Sequence, residues 1–409
     1  MRGQRVMVKI MYDKPSLGNI FNSHQWVKPK TFSSSSIQLP APEEVPFLDV
    51  EVMSLHRLVL GTLHAKFCIV DRKMAAIMSN NVEDNDNMEM MTHLEGPVLP
   101  SYEDPMDKGS SPISKPGLQG VDIVDHGHGR HENQVVSQGS AYPELPEHTP
   151  EDPHYDDDIT GEIARMQSCY SNKPDETRLQ ATNRQLNLAV QHPIQPTGPD
   201  IEDGEEMTPY IETSTTDPVP IALVCRPPYG PINSKSLHVP QNEAWLSLIR
   251  NAEREIFIQT PDLNAPPLMI ALADALKRGV EVTYYVCWGY NDTGEMVPGQ
   301  GGTNEQAARA LINSPPANGP ELAPLHIYHY VGKDQDYPIH NSFKSRSCHL
   351  KLLIADGVVG VQGSGKQDTQ SWFHSQEVNI MVDSYEVCRK WRAAIDENQN
   401  TRVFGRVVI

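Results

Sequence analysis

Apolar positions in the second half of the chain alternate between two periods. From Gln241 to Arg254, Trp245, Leu248, Ile249 and Ala252 recur at the spacing of a helix that buries one face, and Pro240 marks its start. Glu255 to Thr260 then reads as a strand. Leu268, Leu272, Ala275 and Leu276 define a second helix that Gly279 ends, and Val280 to Cys287 is a run of β-branched and aromatic residues. Strand, helix and strand in this order form a βαβ unit. Beyond it the pattern predicts a short helix over 304–312 and a strand from Leu325 to Val331. A hairpin follows in which Asp356-Gly357 joins His349–Ala355 to Val358–Gln362, then a strand from Glu377 to Val382 and a last helix from Ser384 to Asn398. The sum is an α/β domain, a mixed sheet flanked by helices.

The start of the chain repeats the later part of that pattern. Arg2-Gly3 precedes a strand from Val6 to Tyr12, as Arg278-Gly279 precedes Val280. Strands at Leu48 to Met53, Thr62 to Val70, Ala75 to Ser79 and Met88 to His93 each have a counterpart in the second copy, so the chain is expected to hold an internal duplication whose halves form a pseudo-two-fold pair. Nothing in the first copy matches Gln241 to Lys277, and a front of about 35 to 40 residues is expected to be missing there, since a repeat without helices cannot cover both faces of a sheet. The expected units are residues 1–94, a linker over 95–206, and residues 207–409.

Charge sharpens the division. The net charge is -19, yet 22 acidic and 7 basic residues fall between Glu95 and Glu206, which leaves the two outer segments close to neutral. That middle segment is rich in Pro, Ser, Gly and acidic residues without sustained periodicity, and is read as disordered, with a weakly helical stretch from Asp158 to Gln167 as a partner-binding candidate. Six cysteines without a CxxC pair point to a reducing, cytoplasmic setting. No run is long enough to span a bilayer, so membrane contact is expected to be peripheral.

Two short motifs carry the candidate chemistry: His64-Lys66-Asp71 and His349-Lys351-Asp356, both HxKxxxxD. On an extended segment His and Lys share a face, while Ala65 or Leu350 between them points into the core. Asp71 and Asp356 have the opposite parity and fall at turns, where a carboxylate bonds backbone amides, so both are assigned a structural role. Each copy then supplies a serine, Ser79 or Ser364, at the eighth position after Asp, and a glutamate, Glu89 or Glu377, further on. A histidine that acts as nucleophile or acid needs its second ring nitrogen held by an acceptor, and these glutamates are the candidates. One motif arises by chance at about one position in ten thousand, whereas two with the same downstream residues do not.

These residues resemble the phospholipase D superfamily, whose signature HxKxxxxDxxxxxxGSxN both copies match at most positions. The run from Cys348-His349-Leu350-Lys351 to Ser371-Trp372 and His374-Ser375-Gln376-Glu377 resembles fungal phospholipase D-like proteins, and the pattern is also similar to cardiolipin synthase-type phosphatidyltransferases. Met78 replaces the usual Gly in the first copy, and Lys366 the usual Asn in the second. The resemblance implies two phospholipase D-like repeats sharing one site, with His64 as nucleophile, His349 as acid, and the glutamates paired crosswise, Glu377 behind His64 and Glu89 behind His349. Lys66 and Lys351 are implied to neutralise phosphate oxygens, with Ser79, Asn81 and Ser364 helping to bind substrate and no metal or cofactor required.

The expected function is a monomeric phosphodiesterase or phosphatidyltransferase that cleaves phospholipids through a phosphohistidine. The alternatives are a nuclease of the same superfamily and a catalytically impaired lipid-binding or interaction protein. A nuclease calls for an Arg/Lys stripe beside the site, and Gly289 to Gly302 and Gln367 to Ser375 are mostly small and polar.

Overall fold

The computed structural model describes residues 6–71, 73–82, 85–95, 174–176, 197–199, 213, 215, 217–233, 236–314 and 324–407. The first half contains β1 (Val6–Asp13), β2 (His24–Trp26), β3 (Leu48–Arg57), β4 (Gly61–Thr62), β5 (Phe67–Val70), β6 (Met74–Met78) and β7 (Met91–Glu95). The second half contains β8 (Ile221–Leu223), β9 (Glu255–Gln259), β10 (Glu281–Val286), β11 (Leu325–His329), β12 (Leu352–Ala355), β13 (Val359–Gly363) and β14 (Asn379–Asp383).

The second half is built on a seven-stranded sheet in the order β11-β10-β9-β12-β13-β14-β8. Its β9, β10 and β11 run parallel, and the remaining neighbours pair antiparallel, so the sheet is mixed as the sequence predicts. The strand period of two sorts its side chains cleanly. Ile256, Ile258, Val282, Tyr284, Ile327 and Leu353 face the helices Pro240–Asn251 and Pro266–Lys277. Phe257, Tyr285, Leu352, Ile354 and Ile380 face the helix Tyr385–Glu397, through its Val387, Cys388, Trp391 and Ile395. Ile77 and Leu94 of the first half enter this second core, which binds the two halves together. On the first face Trp245 and Trp372 meet with ring centroids 5.3 Å apart, and truncating either fully buried indole costs about 3–5 kcal/mol.

In the first half, β1 and β3 pair in parallel with Val6 opposite Leu48, and β5-β6-β7 form an antiparallel three-stranded sheet. In the second half β9 stands between the parallel pair and the antiparallel strands; among the described residues of the first half no strand occupies that place.

The turn between β12 and β13 has Asp356 and Gly357 at φ of 54° and 69°, closed by the Val358 amide donating to the Ala355 carbonyl at 3.0 Å, and Ala355 pairs with Val359 across it. The Asp356 carboxylate accepts hydrogen bonds from the backbone amides of Glu253, Arg254 and Glu255 at 2.9, 2.8 and 3.0 Å, which ties the turn to the start of β9. Asp71 has the same left-handed backbone, φ 51°.

The linker expected over 95–206 lies almost wholly outside the described residues, as does the helical stretch from Asp158. Thr197 and Gly198, within that span, donate backbone bonds to the Asp334 carbonyl, both at 2.8 Å. The five cysteines among the described residues are free thiols, and no helix there is long and apolar enough to cross a membrane.

Candidate active site

Two strands end short of where the sequence pattern puts them, and the site is the reason. The expected strands from Thr62 and from His349 start only at Phe67 and Leu352, so neither histidine nor its lysine lies on a sheet ladder. Both motif segments stay extended, but their backbones pair with the opposite half. Leu63 bridges Gln376, and the His64 amide donates to the Gln376 carbonyl at 3.0 Å. Cys348 bridges Met88, whose carbonyl accepts from the His349 and Leu350 amides at 2.8 and 3.1 Å. Gln376 and Met88 immediately precede Glu377 and Glu89. Each histidine is therefore strapped to the segment that carries the other half's carboxylate.

The imidazole contacts follow directly. His64 Nδ1 lies 2.9 Å from both oxygens of Glu377, and His349 Nδ1 lies 2.7 Å from Glu89 Oε1. Leu350, between His349 and Lys351, is fully buried, and Ala65 packs against the shared core.

The two serines bond to the glutamates. Ser79 Oγ donates to Glu89 Oε2 at 2.5 Å and accepts from the Met90 amide at 2.9 Å; Ser364 Oγ donates to Glu377 Oε2 at 2.6 Å and accepts from the Val378 amide at 3.0 Å. Both are wholly buried, each with its hydroxyl on a carboxylate oxygen. A serine hydroxyl is spent on the glutamate because a buried carboxylate must have its oxygens filled by donors. Asn81 is exposed beyond the end of β6.

Electrostatics join the two motifs. Lys66 and Lys351 each donate to the carbonyl of their own histidine, Lys66 at 2.7 Å, while each ammonium also depresses the histidine of the other motif. Burial lowers the pKa of His64, partly offset by Glu377. His349 is pushed down to about 3 by burial and by Lys351, against the pull of Glu89. Lys351, with 2% exposure, falls to about 7 through burial, which Glu89 opposes. Burial raises Glu377 and Glu89, but the histidines and lysines beside them outweigh it and hold both below the ordinary glutamate value. At neutral pH the resting site thus has ionised carboxylates accepting Nδ1–H from neutral imidazoles, which leaves each Nε2 lone pair free.

Several residues at the site are invisible to motif reading. Ser371 Oγ gives Glu377 Oε1 a further donor at 2.7 Å. Arg226 is buried, exchanges backbone bonds with Glu377 at 3.0 Å each way, and has a guanidinium pushed down to about 10 by burial. Lys366 sits between Asp262 and Asp368 at 3.1 and 2.6 Å. Arg226 and Lys366 each have a partner distant in sequence, Glu377 and Asp262, while Ser371 lies six positions from Glu377 within the polar run from Gln367 to Gln376. Among the described residues no group of three or more His, Cys, Asp or Glu has the arrangement of a metal site.

The family model described as cardiolipin synthase, PLD-like domain, matches residues 245–398, which include the second motif. No curated protein matches the chain. Among solved structures, the chain is similar to Nuc, a phospholipase D family member from Salmonella typhimurium, at 17% identity over 46% of this chain and 95% of that one, with a TM-score of 0.31. It is similar to NucT from Helicobacter pylori at 13% identity over 46% and 98%, TM-score 0.32, and to phosphatidylserine synthase from Haemophilus influenzae at 10% over 56% and 46%, TM-score 0.32. Residues 245–398, which carry the second motif, thus match a phospholipase D-like domain, and the first half carries the other copy of the motif.

Proposed function

We propose that this protein is a phosphodiesterase acting on phospholipids, with both motifs in one active site and a phosphohistidine on His64. The observation that carries it is the crosswise strapping, which gives two neutral imidazoles their own carboxylates and sets each within the field of the other's lysine. In this reading residues 1–94 and 207–409 form a pseudo-two-fold pair around the site, and 95–206 joins them. The matching bond patterns of Ser79-Glu89-Met90 and Ser364-Glu377-Val378 support that relation.

A bound diester brings negative charge to Lys66 and Lys351. That offsets the two charges which, with burial, hold His349 deprotonated, so His349 takes up a proton as the substrate docks. His64 Nε2 then attacks phosphorus, the P–O bond to the leaving alcohol breaks, and His349 gives its proton to the departing oxygen. Glu377 stabilises the positive charge that develops on the phosphorylated ring. In the second half-reaction His349 takes a proton from water or from an alcohol, the new P–O bond forms, and His64 is released. Hydrolysis and phosphatidyl transfer differ only in that acceptor.

A lipid substrate is favoured by exposed apolar residues on two segments of the second half. Trp288, Met296 and Val297 on the loop after β10, and Tyr337 and Phe343 on the segment that bonds to it, are 40%, 62%, 53%, 48% and 72% exposed. Exposed apolar and aromatic residues of this kind suit insertion among head groups. The test is to incubate the purified protein with mixed phospholipid vesicles and with single-stranded DNA, and identify products by mass spectrometry. Phosphatidic acid or an exchanged head group is expected; DNA cleavage alone, or no product from either, overturns the reading.

A further inference from the structure

Lys366 occupies the position where the superfamily signature has Asn, and its surroundings are built for it. Its ammonium lies 3.1 Å from Asp262 Oδ2 and 2.6 Å from Asp368 Oδ2, and both carboxylates are only 1% exposed. The ring of Tyr290 closes a third side, with its centroid 5.2 Å from Nζ. Two buried anions and an aromatic face are what a compact cation with several N–H donors requires. The backbone holds the cage shut, because Asn264 and Ala265 donate to the Gln367 carbonyl at 3.0 and 3.1 Å and so zip the loop after β9 to the loop after β13.

The cage is coupled to the active site through a short chain of contacts. Asp368 caps the helix Thr369–Phe373, its Oδ1 accepting from the Ser371 amide at 2.7 Å. Ser371 Oγ in turn donates to Glu377 Oε1 at 2.7 Å, and Glu377 holds His64 Nδ1 at 2.9 Å. The ammonium, the cap, the hydroxyl and the carboxylate form one line ending on the imidazole. The pKa of Lys366 is raised well above the ordinary lysine value, with burial opposing and Asp262 and Asp368 outweighing it, so the cation stays charged where it sits.

We propose that Asp262, Asp368 and the face of Tyr290 form a binding cage for a primary ammonium group, filled in this chain by Lys366, and that the emptied cage takes up a free alkylammonium ion which restores the position of His64. Lys366 is on this view a positioning residue, acting on His64 through Asp368, Ser371 and Glu377. Only the turnover part of the proposal rests on the phosphodiesterase reading; the cage itself stands on its geometry.

The test uses the full chain carrying Lys366→Ala, with propylammonium, potassium and tetramethylammonium chloride as probes. Without substrate, propylammonium should raise the variant's unfolding midpoint saturably and leave the wild type unmoved. Potassium and the quaternary ion, which has no N–H to give, should match each other in both proteins. With a p-nitrophenyl phosphodiester, kcat of the variant should fall about 10-fold to 100-fold, as expected for a nucleophile displaced by a fraction of an ångström, and recover with propylammonium over the same concentration range. A folded variant whose midpoint ignores propylammonium, or one with wild-type turnover in its absence, overturns the proposal. If wild type cleaves no diester, the unfolding measurement alone decides the cage. If Lys366→Ala does not fold, Lys366→Met is compared with Lys366→Met/Asp262→Asn: removing one of the two buried negative charges should restore folding, and equal failure of both rejects the cage.

Discussion

Glu377→Gln isolates the link between a buried carboxylate and the reactivity of His64. In the native site Glu377 accepts from three side-chain donors, His64 Nδ1 at 2.9 Å, Ser364 Oγ at 2.6 Å and Ser371 Oγ at 2.7 Å, and is 1% exposed. An amide keeps the shape but has one acceptor oxygen and one donor nitrogen. The serine hydroxyls can rotate to accept from the new NH2, whereas His64 has no such freedom. It either keeps Nδ1–H against the amide oxygen without the charge, or reverses its tautomer and carries the proton on Nε2, the atom that should attack. A hydrogen bond to a charged group is worth about 1.5–3 kcal/mol, which is about 10-fold to 150-fold in rate. The growing positive charge on the phosphorylated ring loses its counter-charge as well, so the total expected is about 100-fold to 1000-fold in kcat, with substrate KM little changed. The measurement is stopped-flow release of p-nitrophenol from a p-nitrophenyl phosphodiester, paired with thermal unfolding to establish that the variant is folded. A folded Glu377→Gln protein with kcat within about threefold of wild type would refute the reasoning, since the carboxylate would then have no part in the chemistry.

Other substitutions separate the remaining parts. His64→Ala should form no phosphohistidine, while His349→Asn should still load His64 from a substrate with a p-nitrophenolate leaving group and then hold the adduct, as peptide mass spectrometry of quenched samples will show. For pH dependence, Lys351 loses its charge as pH rises through about 7, so kcat/KM in wild type should decline above that value, and Lys351→Arg, which keeps its charge, should move this alkaline limb upward. Asp356→Asn removes the anion that accepts three backbone amides far from the histidines; the denaturant midpoint should fall by the equivalent of about 1–2 kcal/mol while activity per folded molecule stays the same.

Much of the second half is legible in the residues, because helices such as Pro240–Asn251 carry a clean period, strands such as Glu255–Gln259 a short apolar run, and the Asp356-Gly357 turn positive φ at two consecutive residues. The His-x-Lys spacing likewise reveals which side chains share a face. What spacing cannot carry is the identity of partners brought in by the other half. The strands start late because their leading residues leave the sheet to pair with Gln376 and Met88, a tertiary choice that apolar alternation does not encode. That Ser79 and Ser364 each bond a glutamate shows only once the returning segment is in place. Lys366 reads as a departure from a signature, and only the loop after β9 supplies the Asp262 that explains it.

The strapping of each motif onto the other half has a consequence for when the chemistry can begin. His64 and the carboxylate that orients it are separated by 313 positions, and His349 and Glu89 by 260. At about 5–20 residues per second of synthesis, His64 waits roughly 15 to 60 seconds after leaving the ribosomal tunnel before its partner exists. Over that interval the first half has a histidine and a lysine, with neither the ring orientation nor the opposing acid needed to open a phosphodiester. If the proposed function holds, reactivity arises only when the halves dock, and no nascent fragment lacking Glu377 can open a phosphodiester.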